Sequence, residues 1–114
     1  MSSWPAGAAG ESLDSDEELL AQLDGSGAIL LLTQRRVLIV RDGSGFRPRS
    51  GIRSWAYGDI LDVSLSLPKR GQARFIVRTG SRPWQAVSMF FGADQWAEAQ
   101  HLIHEIRRRL NGPQ

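Results

Sequence analysis

The chain has no cysteine in its 114 residues, and this removes several functions at once. A disulfide framework, a thiolate zinc or iron–sulfur centre and a cysteine nucleophile all require sulfur that the sequence lacks. A reducing compartment fits, and secretion is not indicated. Long apolar runs are missing too: the longest, Ala28 to Leu32, is far below the roughly 18 residues of a membrane-spanning helix. The N-terminus carries Trp4, Pro5, small residues and then acids, with neither the basic start nor the apolar stretch of a signal peptide. A cytoplasmic location is expected, with peripheral contact to a membrane as the alternative. Lysine is scarce, with one residue against 13 arginines. Guanidinium groups suit bidentate recognition of phosphate or carboxylate, although a biased genomic base composition explains the preference equally well.

A chain of this length holds one domain and buries about two thirds of its unfolded surface, enough for a core made by packing alone. Its charge is segregated. Five acids (Glu11, Asp14, Asp16, Glu17, Glu18) precede residue 19 without a base, whereas eleven bases face three acids between Arg35 and Arg82. Residues 1–16, rich in Ser, Gly, Ala and acid, read as a flexible acidic tail with little to bury. Residues 17–110 read as the domain and 111–114 as a short C-terminal tail.

Within the domain, short apolar runs alternate with turn chemistry about every ten residues, the spacing of an antiparallel all-β domain. Leu19, Leu20 and Leu23 form a first run that a strand or a helix can claim. Asp24-Gly25-Ser26-Gly27 supplies glycines for a tight turn. Ala28–Thr33 and Arg36–Arg41 follow as strands, then a long loop to Gly51, too broken by Gly and Pro48 for a core strand. Arg53–Tyr57 reads as a strand with Trp55 and Tyr57 on one face. In Ile60–Leu67 the alternation of Leu61, Val63, Leu65 and Leu67 with Asp62, Ser64 and Ser66 predicts a strand with one wet face. Ala73–Thr79 and Trp84–Phe91 complete seven strands. Past Gly92 the period lengthens: Trp96, Ala99, Ile103, Ile106 and Leu110, with Leu102 beside them, recur at steps of three and four. This predicts an amphipathic helix over residues 94–110, with Asp94 at its positive end and Arg107, Arg108 and Arg109 at its negative end. Trp96, Ile103, Ile106 and Leu110 are its expected contribution to the core.

This order of elements resembles the pleckstrin-homology-like family, particularly its small bacterial and GRAM-type members. The resemblance rests on ILLLTQRRVLIV from Ile29 to Val40, YGDI from Tyr57 to Ile60 and DQWAEA from Asp94 to Ala99. It implies a mainly β fold, a seven-stranded antiparallel sandwich or barrel capped by one C-terminal α-helix. It also implies basic residues around the first hairpin loop wherever phosphoinositides are bound. The corresponding loop here, Asp24 to Gly27, has one acid and no base, so inositol phosphates are not expected as ligands.

No catalytic constellation emerges. His101 and His104 with Glu105 offer too few donors for a metal site and fall away from the helix's apolar stripe, where solvated histidines are ordinary. The serines of the two Asp-Gly-Ser-Gly segments lie in turns rather than between strand and helix, so neither forms a nucleophile elbow. No phosphate-binding glycine loop is present. The reading is therefore a non-enzymatic interaction module without catalytic residues, metal or cofactor, whose partner is an unidentified protein or a second copy bound through an edge strand or the long loop. Two alternatives remain. Arg35, Arg36, Arg41, Arg47, Arg49 and Arg53 form a candidate patch for an anionic membrane lipid surface, although a sandwich needs polar outer residues in any case. Trp55, Tyr57 and Trp84 amid the basic stretch admit weak nucleic-acid binding by stacking, against which strand spacing argues for packing.

Overall fold

The computed structural model describes residues 13–41 and 51–111. Four strands, β1 (Leu19–Asp24), β2 (Ala28–Thr33), β3 (Arg36–Arg41) and β4 (Ile52–Ala56), pair in sequence order as one antiparallel sheet. Three more, β5 (Asp62–Lys69), β6 (Gln72–Arg78) and β7 (Ala86–Gly92), pair as a second. Helix α1 (Trp96–Asn111) follows a 3-10 turn at Ala93–Gln95 and packs on β5, on β1 and on a second 3-10 turn at Tyr57–Asp59. The expected loop after β3, with Arg47 and Arg49, lies at residues 42–50, outside the described residues.

The core lies where the two sheets and the helix meet. Leu30, Leu32, Val37 and Ile39 face it from the first sheet, and Val63, Phe75, Val77, Met89 and Phe91 from the second. From the helix, Ala99, Leu102, Ile103 and Ile106 are buried, while Trp96 and Leu110 are only partly buried against the same cluster. The helical period thus selects the face correctly, and position along the helix decides how deeply each residue sinks. Trp96 stacks on Phe91 with ring centroids 6.5 Å apart.

Turn chemistry fixes the connections. Lys69 pairs with Gln72 across Arg70 (φ 52°) and Gly71 (φ 79°), two successive left-handed residues of the kind that match hairpin twist. In the turn between β1 and β2 the glycines serve different purposes. Gly27 takes a positive φ of 72°, whereas Gly25 is needed for space, because a Cβ there would meet the Phe90 carbonyl oxygen. Beside it the Ser26 amide donates to that carbonyl at 2.8 Å, joining the edge of the first sheet to β7. Gly25→Ala is therefore expected to destabilise by about 1–3 kcal/mol through overpacking. Gly58, whose added Cβ would meet nothing within 4 Å, is the control, and the two denaturant midpoints check the contrast.

The first leucine run is a strand, the first of the seven expected. Several other expectations need correction. In the fifth strand, the alternation is interrupted at both ends: Leu61 is 60% and Leu67 77% exposed, while Ile60 is buried. The Leu61 amide bonds the Arg78 carbonyl although Arg78 pairs with Asp62, and register shifts again between Ser66 and Lys69, where Pro68 cannot donate to the ladder. Only Val63 and Leu65 turn inward. Trp84 does not start a strand; Pro83–Gln85 is a 3-10 turn and Trp84 stands 71% exposed under the Arg82 guanidinium. Tyr57 lies past the end of β4, in the 3-10 turn. Finally, the outer face of the first sheet is not polar at its centre. Ile29, Leu31, Leu38 and Val40 form a second apolar cluster on the side away from the main core.

Candidate interaction site

The acidic segment before β1 meets the turn between β2 and β3 (Thr33 to Arg36). Glu17 receives the Arg36 guanidinium bidentately, Nε to Oε2 and Nη2 to Oε1, both at 2.7 Å. The Thr33 hydroxyl donates to Glu17 Oε2 at 2.9 Å, and Gln34 bridges the backbones, accepting from the Glu18 amide and donating to the Asp16 carbonyl. Arg35 pairs with Asp16 and, at 3.8 Å, with Asp14. The Arg36 hydrogen bonds hold the Glu17 carboxyl down at about 2 against the opposing effect of burial. The same pair raises Arg36. Charge-assisted bidentate pairing accounts for both directions. Residues 14–16, expected as tail, are thus in contact with the domain.

Of the six arginines expected as one patch, four lie among the described residues, spread over the turn before β3, β3 itself and β4. Arg35 and Arg36 sit at one end of β3 and Arg41 at the other, about 17 Å away at the strand rise. Arg41 donates to the Ser88 carbonyl on β7 at 2.9 Å, so it bridges the sheets. Arg53, opposite Ile39 on β4, stands 5.8 Å from the Trp55 ring centre. Arg47 and Arg49 lie outside the described residues. Trp55 and Tyr57 pack partly buried on the core. Burial pushes the Tyr57 hydroxyl up to about 12, and it donates to the Thr33 carbonyl at 2.5 Å.

Sequence reasoning did not find the groove between β5 and α1. It has a volume of about 410 Å³ and is lined by Ser64, Leu65, Trp96, Gln100, Ile103, His104 and Arg107. β5 is an edge of its sheet. Arg107 donates to the Val63 carbonyl at 2.7 Å, with its Nε 3.6 Å from Asp62, so the Val63 carbonyl points away from β6 and towards the helix. By the two-residue alternation of an antiparallel ladder, the peptide groups of Leu65 present the same edge. The groove therefore offers backbone donors and acceptors along one wall and the partly apolar Trp96, Ile103 and Gln100 along the other. The sequence signal was faint: an alternating strand beside a helix, without their relative placement.

His101 and His104 are exposed, and no group of three or more potential metal ligands comes together among the described residues. Nor is any helix among them long and apolar enough to cross a membrane.

No protein-family model and no curated protein matches the sequence. Solved structures do match in three dimensions. A pleckstrin homology domain from Shewanella amazonensis superposes with a TM-score of 0.64 at 13% identity, over 89% of this chain and 93% of that one. A DUF1696 family protein with a pleckstrin-homology domain, from Shewanella loihica, gives 0.63 at 13% identity, over 89% and 91%. With four strands in one sheet, three in the other and one closing helix among the described residues, the chain has the pleckstrin-homology fold.

Proposed function

We propose that the chain is a non-enzymatic interaction module that binds an extended protein segment along the free edge of β5, in the groove shared with α1. The observation that carries this is the edge itself: a strand with outward peptide groups, flanked by a helix face that supplies side-chain contacts, is the arrangement for strand addition. Backbone pairing gives affinity, and Trp96, Gln100 and Ile103 read alternate side chains of the ligand. The arginines support an anionic membrane less well. Arg35 and Arg36 are paired with acids and Arg41 with a backbone carbonyl, so three of the six are already engaged. Stacking of nucleic acid would likewise draw on Trp55 and Tyr57, which are committed to packing.

Peptides selected from a random displayed library against the folded domain test this reading. They are expected to lose binding when alternate backbone amides are methylated, and when Gln100→Trp fills the groove. Selected peptides that tolerate both changes would place binding elsewhere and refute strand addition here.

A further inference from the structure

The edge strand that lines the groove is charged unequally along its length. β5 begins with Asp62 and ends with Lys69, about 23 Å apart at the strand rise. At the first end Asp62 stands opposite Arg78 across the ladder and lies 3.6 Å from Arg107 Nε, so an acid already faces bases there. The second end is different. Lys69 pairs with Gln72 and Ser66 with Arg74; because Gln72 and Arg74 are two residues apart on β6, Lys69 and Arg74 share the outer face of the sheet. Arg70 follows in the turn. Lys69, Arg70 and Arg74 are exposed, and among the described residues no carboxylate pairs with any of them. Asp94 is the acid that the connection after β7 brings to this end, where the Ala93 amide bonds the Gly71 carbonyl at 2.8 Å. Glu98 lines a separate hollow beside β1.

We propose that the segment bound in this groove is acidic at one end, with its carboxylates at the turn between β5 and β6, where Lys69, Arg70 and Arg74 receive them. Given strand addition to β5, on which this rests, the charges add the ligand's class and its direction along the groove. An added strand sits about 5 Å beyond β5 and about 10 Å from β6. Its outward side chains continue the rungs of the sheet, so that one lies across Ser66 from Arg74 and another across Asp62 from Arg78. Ser66 is short and leaves the Arg74 guanidinium a clear line to a carboxylate, whereas Asp62 opposes one by like charge. The register break between Ser66 and Lys69, with Pro68 inside it, ends backbone pairing at that point. Recognition beyond Ser66 therefore passes to side chains, and Lys69 and Arg70 are the ones present. Ligand side chains of the other parity turn to Trp96, Gln100 and Ile103, which carry no charge. The same strand is thus read as apolar towards the helix and acidic towards the outer face at the turn.

Three fluorescein-labelled peptides, titrated against the full chain, provide the test: Val-Ser-Val-Ser-Val-Glu-Val-Glu, the same sequence with lysine for glutamate, and the same with serine throughout. The glutamate peptide is expected to bind about tenfold more tightly than the lysine peptide at low salt, and the gap should close as salt is raised. Lys69→Gln, Arg70→Asn and Arg74→Gln combined should bring the two within about twofold, with asparagine chosen because residue 70 has a left-handed backbone. Unchanged affinity for the serine peptide shows that this variant is folded. A nitroxide on the glutamate end should broaden the amide resonances of Gly71 and Gln72, and one on the opposite end those of Asp62 and Val63. Equal binding of all three peptides, each shifting the Leu65 amide, would overturn the acidic class and leave strand addition standing. The same holds for a glutamate peptide that fails to bind where library-selected peptides shift that amide. Glutamate preference with the Leu65 amide unmoved would refute strand addition and the acidic ligand together. A label on the glutamate end that broadens Asp62 instead of Gly71 would overturn the direction.

Discussion

Phe91→Ala is expected to reduce unfolding free energy by about 3–5 kcal/mol, a large part of the 5–15 kcal/mol typical of a domain. Phe91 is fully buried on β7 and contacts Trp96 just after the strand turns into α1. Its removal leaves a cavity at the point where the second sheet hands over to the helix, so the loss combines transfer energy with lost packing between elements. Trp96→Ala should cost less, about 2 kcal/mol, because its ring is only partly withdrawn from water. Phe90→Ala, one residue away and 48% exposed, should cost under about 1 kcal/mol. Urea midpoints for the three variants check the order. If Phe90→Ala proves the most damaging, the strand faces are the reverse of those described.

Arg36→Ala should rank next, at about 2–3 kcal/mol, because it strands a carboxylate whose side chain has no exposed area. The same pair sets an acid dependence. The Glu17 carboxyl titrates near 2 in the folded chain against an ordinary value of 4.5. With the folded value depressed, its contribution is fully present above the ordinary value and fades as pH falls from about 4.5 towards 2, while Arg36 stays charged throughout. Glu17→Gln removes the titrating group, so its stability should fall less steeply across that window than that of the wild type. Chemical denaturation at successive pH values between the two limits gives both slopes. Parallel slopes would mean that Glu17 does not carry the acid sensitivity.

Much of the fold could be read from residue patterns because local physics and tertiary structure agree there. Phe75 and Val77 alternate with Arg74 and Arg78 in a strand with one buried face, and the helix stripe names the residues that sink into the core. Where they disagree, the pattern misleads. Leu61 and Leu67 keep the period, yet register breaks at each end of β5 turn them to solvent. The double-sided burial of β2 was visible in principle: six consecutive residues without alternation are the mark of a strand covered on both faces. The candidate groove was not legible, since it depends on where α1 rests against β5. Nor was the pairing of Glu17 with Arg36, nineteen positions apart, which no local periodicity encodes.

The hairpin of β2 and β3 also has a life before the domain closes. Its strands carry Ala-Ile-Leu-Leu-Leu-Thr and Val-Leu-Ile-Val, β-prone segments with low charge that would template aggregation while their eventual cover is still unmade. The closing contact from Ser26 to Phe90 joins residues 64 positions apart, so the hairpin must be synthesised, and must wait, long before β7 arrives. Arg35 and Arg36 at one end and Arg41 at the other flank the Val37–Val40 stretch with positive charge, and like charges resist stacking of one nascent hairpin on another. In the emerging chain these arginines act as gatekeepers, a role that ends when they take up their partners in the finished fold.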